Sequence, residues 1–327
     1  MDHNNDIFQQ NMSLLLKRIK SNDKEITIID EKEYTKGKFL GKGRFDVYEG
    51  ENTLLNNQKI AIKEIPLTIV FNDLEALIQE INMCCVIPHP RVPKFFGITI
   101  THANVSLIME LIENAKTLSE KAAMVDYKQK IDYMVQLTSI IKDLHEKNII
   151  HRDLKPLNVL VNDKNQVYLI DFGTSKFCSG SSTGTVDSKG TTYYMPPENV
   201  IYEIDDSDDD NDNEDDDEIK KPFRVSIQFD IWSLGCIISE ICSGIRPWTN
   251  FKHENYDLSK YKTIKKKKVI DVLLVMELLT YQLDFPIPDE IKPELKEILK
   301  PCFHSNPKER IKIHNLFEKL NNYLNTL

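Results

Sequence analysis

Hydrophobic and polar positions change their period about a third of the way along the chain. Gln58 to Ile65 alternates, which predicts a strand with Ala61 and Lys63 on one face and Ile60 and Ile62 on the other. Asn72 to Val86 repeats at helical spacing. Leu74, Leu77, Ile78, Ile81, Cys84 and Cys85 form its stripe, Asn72 or Asp73 its N-cap, and Pro88-His89-Pro90 its stop. Val105 to Met109 is a further strand. Beyond Glu113 the spacing turns mostly helical: Ile131, Met134, Val135, Thr138, Ile141, Leu144 and His145 share one face. Val159 to Val161 and Val167 to Ile170 read as short strands around a turn at Asn162 to Asn165. Asp230 to Cys242 is apolar nearly all round, which predicts a helix buried in the larger part of the molecule. Pro286, Pro288 and Pro293 punctuate the last third. At the other end, Ser13 to Lys20 reads as a short amphipathic helix in an extension over residues 1–33. Such a segment docks or frays, with a membrane or partner surface as the rival reading. The order, strands first and helices after, predicts an α+β chain of two lobes or two domains.

Composition changes this picture little, and charge changes it in one place. Hydrophobic residues are 41% and charged residues 28%, as in ordinary soluble proteins. The net charge of −9 comes from one run: residues 203–218 carry twelve acids and no base, and without them the balance is about +3. A near-neutral body gives no reason to expect nucleic acid. The run repels itself and has too little apolar area to fold, so residues 203–221 are expected to be a disordered surface insertion, a candidate docking site for a basic partner. A calcium loop fits poorly, because counting from Asp208 puts Asn213 where an EF-hand needs Gly and Ile219 where it needs Glu. Six cysteines form no Cys-x-x-Cys pair and no zinc spacing, which points to reduced thiols in a cytoplasmic protein. No apolar run reaches the length of an integral membrane segment.

The chemistry lies in five short motifs in one order: Gly41-Lys42-Gly43, Ile60-Ala61-Ile62-Lys63, His151-Arg152-Asp153-Leu154-Lys155-Pro156-Leu157-Asn158, Asp171-Phe172-Gly173, and Pro196-Pro197-Glu198. Glycines at a strand turn let backbone N–H groups approach a phosphate. Lys63 is an ammonium on an otherwise apolar strand, where a lysine usually faces solvent. Asp153, Asn158 and Asp171 are carboxylate and amide oxygens of the kind that accept protons or bind hard metal ions. Together the motifs resemble the signature set of the eukaryotic protein kinases. The Asp-x-Lys-x-x-Asn pattern is similar to the Ser/Thr-directed kinases, and the style resembles their tyrosine-kinase-like group.

That resemblance implies a two-lobed kinase fold over residues 34–325, with a small antiparallel β-sheet lobe carrying one helix (34–112) and a larger, mainly helical lobe (113–325). It implies Mg²⁺ and ATP in the cleft between them, and transfer of the γ-phosphoryl group to Ser or Thr of a protein substrate. Carried over residue by residue, Lys63 holds the α- and β-phosphates, aimed by a carboxylate on the following helix. Glu80, nine residues before His89, is the candidate and Glu75 its rival. Asp153 is the base near the acceptor hydroxyl, Lys155 neutralises the moving phosphoryl charge, and Asn158 and Asp171 bind the metal. Leu40, Val47, Ala61 and Leu160 would sandwich the adenine, Met109 guard its rear, and Glu110 and Ile112 offer it backbone hydrogen bonds. Three roles are structural. Glu198 would pair with Arg310, Asp230 would bind the catalytic-loop backbone, and Thr191 would contact the catalytic Asp and Lys. His151 is expected to be a packed core histidine. Arg152 would receive a phosphate on the activation segment, for which Asp187 is a charge substitute. One departure stands out. Only Asp46 lies between Phe45 and Val47, so the glycine loop is a residue short and lacks its third Gly. That leaves a nucleotide-impaired pseudokinase scaffold as the alternative.

Overall fold

The computed structural model describes residues 10, 12–19, 26–53, 57–87, 89–177, 192–198, 226–249 and 285–327. The acidic run, Thr191 and Asp187 lie outside them. The chain divides into two compact units. The first comprises Met1–Ala115 with Tyr168–Gly173, and the second Lys116–Val167 with Thr174–Leu327.

The first unit is built on a five-stranded antiparallel sheet: β1 (Tyr34–Lys42), β2 (Asp46–Asn52), β3 (Gln58–Pro66), β4 (Phe95–Ile100) and β5 (Asn104–Glu110), in the order β1-β2-β3-β5-β4. The alternation of β3 sorts its side chains into two separate clusters. Ile60 and Ile62 pack with Ile29 and Ile108 on one face. Ile65, on the other face, joins Leu77, Ile81, Val105 and Leu107. Helix α3 (Leu74–Val86) supplies Leu77 and Ile81, and Asp73 caps it by accepting from the Ala76 N–H at 3.0 Å. One feature differs from the periodicity. A short helix α2 (Leu67–Asn72) precedes α3, where Leu67-Thr68-Ile69-Val70-Phe71 reads as strand-forming. Burial of Leu67 and Val70, three residues apart, overrides that propensity. Helix α1 (residues 12–19) forms where the amphipathic pattern predicts one, and it packs into the β3–α3 cluster through Leu15 and Ile19. The N-terminal segment therefore docks within this unit.

The second unit is mainly helical, with short strands among its helices. It includes α4 (Leu118–Ala122), α5 (Tyr127–Glu146), α6 (Gln228–Ser243), α7 (Pro293–Leu299) and α8 (Ile313–Thr326). Asp126 caps α5 through the Gln129 N–H at 2.8 Å. Nearly every side chain of α6 is buried, as its all-round apolar sequence predicts. Of the strands, β6 (Lys116–Thr117) pairs with β8 (Val159–Val161), and β7 (Ile149–Ile150) pairs with β10 (Lys176–Phe177). Strand β9 (Val167–Leu169) follows β8 through the Asn162–Gln166 turn. Among the described residues no helix is long and apolar enough to cross a membrane. Burial pushes the thiols of Cys242 and Cys302 up to about 12.

Candidate active site

The candidate residues form two sets, one on each unit. In the first unit the register brings them to one face of the sheet. Gly41 lies opposite Val47, Val47 opposite Lys63, and Lys63 opposite Leu107; Ala61 lies opposite Met109. Directly opposed residues share a face, and so do residues two apart on one strand. Gly41, Val47, Ala61, Lys63 and Met109 therefore line one surface. A Cβ added to Gly41 or Gly43 would meet nothing within 4 Å, so their backbone is open to an approaching group. The glycine turn is tight: Lys42 pairs with Asp46, with Gly43, Arg44 and Phe45 between. Lys42 lies 3.4 Å from the Asp46 carboxylate, at ion-pair distance without a hydrogen bond. Phe45 turns inward and joins the β3–α3 cluster, with Lys63 Nζ 5.6 Å from its ring centre.

Lys63 is the electrostatic centre of this set. Its ammonium donates to Glu80 Oε1 at 2.6 Å and to Asp171 Oδ1 at 2.7 Å. Burial alone would lower its pKa, but the two carboxylates outweigh that and the net shift is upward, so the ammonium stays charged. Glu75, the rival for this partner, is exposed and pairs instead with Arg18 of α1. Asp171 has φ +65°, a left-handed conformation that Asp tolerates better than most residues. Leu40 is 44% exposed, as a residue at the rim of a binding surface would be. The Glu110 N–H is already committed to the Lys94 carbonyl at 2.8 Å.

In the second unit the loop after β7 is held as a compact polar knot. Lys155 Nζ donates to Asp153 Oδ2 at 2.6 Å. The Asn158 amide nitrogen donates to the Asp153 carbonyl at 2.8 Å and to its carboxylate at 3.0 Å. Asp153, Lys155 and Asn158 are thus brought together. Leu160 follows on β8, opposite Thr117. His151 is fully buried, and its Nδ1 accepts from the Asp153 N–H at 3.3 Å, so it packs and orients. Below the loop, Asp230 accepts from the backbone N–H groups of His151 and Arg152, both at 2.9 Å. Its carboxyl is fully buried. Desolvation would raise its pKa, but the hydrogen bonds and positive charge around it hold it below the usual carboxylate value.

The sequence profile of the protein kinase domain matches residues 34–320. The chain belongs to the protein kinase domain family. Similar proteins carry kinase names. MAP3K epsilon protein kinase 1 of Arabidopsis thaliana is 27% identical over 86% of this chain and 18% of its own length. Mitogen-activated protein kinase kinase kinase 3 of the same plant is 27% identical over 87% of this chain and 40% of its own. Cytokinesis protein sepH of Aspergillus niger is 26% identical over 92% of this chain and 20% of its own. This kinase domain chain thus spans about a fifth to two-fifths of the length of the curated relatives it matches.

The kinase domain also contains the long-range pair expected of its second unit. Arg310 meets Glu198 through two parallel bonds of 2.7 and 2.6 Å. Its other guanidinium bonds go to the Gln228 carbonyl at 3.0 Å and the His304 carbonyl at 2.9 Å. The sequence reading missed one member of the polar framework. His145, counted with the apolar stripe of α5, brings Nε2 to 2.9 Å from Asp230 Oδ2. A histidine breaking an aliphatic stripe was the available signal.

Proposed function

We propose that this kinase domain is a protein serine/threonine kinase that transfers the γ-phosphoryl group of Mg·ATP to Ser or Thr hydroxyls of protein substrates. The observation that carries the reading is the double bonding of Lys63 to Glu80 and Asp171. An ammonium so fixed, beside an open glycine backbone and on the same face as Ala61 and Met109, suits a polyphosphate with a flat base next to it. The residues also fit the metal. Asp171 is a hard carboxylate ligand, and commitment of the Asn158 amide nitrogen to Asp153 leaves its oxygen to face a cation.

In this reading Lys63 binds the α- and β-phosphate oxygens, while Glu80 fixes its rotamer. Leu40, Val47, Ala61, Leu160 and Met109 enclose the adenine, and the Glu110 carbonyl and Ile112 backbone hydrogen-bond to it. Asp153 accepts the proton of the acceptor hydroxyl, and Lys155 neutralises charge on the transferring group. Asn158 and Asp171 would hold Mg²⁺, which when bound would neutralise charge on the phosphate oxygens. Selection of Ser or Thr rests on Lys155 two residues after Asp153, and a cytoplasmic location on cysteine spacing that suits reduced thiols. The shortened glycine loop favours the scaffold alternative, but Lys42 beside Asp46 offsets the added carboxylate.

Radiolabelled ATP with a generic protein substrate tests the proposal. Label in the wild type and none in Asp171→Ala supports it. Label in neither, with no Mg²⁺-dependent nucleotide binding, leaves the scaffold.

A further inference from the structure

We propose that α1 is a built-in clamp on α3, and that Leu15, Ile19 and Arg18 are positioning residues for the Lys63–Glu80 pair. The inference rests on the phosphotransfer reading above and adds to it a control element lying before the matched kinase domain.

Three independent observations point to it. First, α1 presents one apolar edge. Met12, Leu15 and Ile19 are spaced three and four residues apart, and Leu15 and Ile19 are 0% and 3% exposed. They enter the same cluster as Leu77 and Ile81, with Ile78, Cys84 and Cys85 of α3 packed against it. Ile81 directly follows Glu80 on α3, and Leu77 lies three residues before it, about one turn away. Second, Arg18 pairs directly with Glu75 in the first turn of α3. The acid that does not hold Lys63 is thereby the one that holds α1. Third, the chain after α1 is anchored to the sheet. The Ile98 N–H donates to the Thr27 carbonyl at 2.9 Å, and the Ile29 N–H donates to the Ile98 carbonyl at 2.7 Å. A Cβ at Gly97 would lie 2.3 Å from the Thr27 carbonyl, so β4 carries a glycine where this segment passes.

The physical consequence concerns Glu80. It reaches Lys63 at 2.6 Å only while α3 stays against the sheet. Helix α3 is 13 residues long, a length at which packing rather than propensity decides whether it holds its place. Leu15 and Ile19 supply part of that packing from outside the 34–320 match. Loss of α1 would expose the apolar edge of α3, free the helix to shift, and lengthen the contact that aims Lys63 at the phosphates. Binding energy of α1 on α3 is thereby coupled to catalysis, as two-state coupling requires.

The test uses the full chain and four variants. Leu15→Asp/Ile19→Asp should lower kcat/KM for ATP by about tenfold or more, mostly through kcat, while Leu15→Met stays within about twofold. In the same proteins, amide exchange should accelerate over residues 77–84 of α3 and stay unchanged over α6. Unchanged rates and unchanged α3 exchange in the double variant would overturn the clamp. Should protection be lost throughout, the ion pair decides: Arg18→Glu should lower the rate about two- to fivefold, and adding Glu75→Arg should restore it. Failure of that restoration also overturns the clamp. A wild-type protein that transfers no phosphate would refute the phosphotransfer reading instead, and α3 exchange would still judge the clamp.

Discussion

Lys63 shows how a single residue joins sequence, energetics and chemistry. Its strand position follows from the β3 alternation, but its charge state is a tertiary matter, because burial and two carboxylates pull in opposite directions. The carboxylates win, so the folded pKa lies above the unfolded one. The stabilising contribution is then complete below the ordinary lysine value and is lost only as pH rises through the folded value. Stability and nucleotide binding should therefore show no Lys63-dependent step between about pH 6 and 9, checked by a thermal-unfolding series across that range. Lys63→Met should cut kcat/KM by about 100-fold or more in a steady-state phosphotransfer assay. It should also destabilise the fold, since Glu80 is left buried and unpaired. Asp153→Asn should lower kcat by about 10²–10⁴-fold with little effect on the ATP KM if, as proposed, it acts on the acceptor proton and not on the nucleotide.

At the scale of elements, caps and anchors decide where helices sit. Asp73 ends α2 and begins α3, accepting from the Ala76 N–H. Asp73→Ala should cost about 1 kcal/mol in urea unfolding and loosen the helix that carries Glu80, with a larger proportional loss in kcat/KM than in stability. Asp230 plays the matching part in the second unit, tying the first turn of α6 to the loop that bears Asp153 and to His145 of α5. Its folded pKa is depressed, so its stabilisation is present above the ordinary Asp value of 3.8 and is lost as pH falls through the folded value. Asp230→Asn should consequently lower stability clearly at neutral pH, with the difference shrinking as pH falls below 3.8, measured from two pH-dependent unfolding curves.

At the scale of the whole molecule, each unit has its own core and its own buried polar centre. The second unit is held by the Arg310–Glu198 fork, whose guanidinium is fully buried and also bonded to two carbonyls. Removing one partner leaves an uncompensated charge. Arg310→Ala should cost about 3–5 kcal/mol, and Arg310→Lys should recover less than half of that because an ammonium cannot form both parallel bonds. Chemical denaturation of the two variants checks the ranking. Next to the fork, Trp232, Phe285 and Phe303 pack edge-on and stacked, with centroid distances of 4.0 to 6.1 Å. The pair thus sits against the aromatic core of the unit and not at its rim.

The sequence by itself determined what depends on local chemistry. Alternation fixed the faces of β3, the 3.6-residue stripe fixed α3, α5 and α6, and the motif residues fixed which groups could handle phosphate and protons. Glu198 with Arg310, and Asp230 with the loop that bears Asp153, were legible because the family resemblance carries contacts that spacing alone cannot. Tertiary structure decided the rest. Glu80 and Glu75 lie on the same helix five residues apart, and only packing against β3 and α1 assigns one to Lys63 and the other to Arg18. Leu67 to Phe71 has strand propensity and becomes a helix because burial of Leu67 and Val70 outweighs a few tenths of a kcal/mol per residue. The amphipathic stripe of residues 12–19 was legible in the sequence, but the place where it docks, the β3–α3 cluster, was not. Whether an amphipathic face stays solvated or docks depends on which surface lies opposite it, and that partner is remote in the chain.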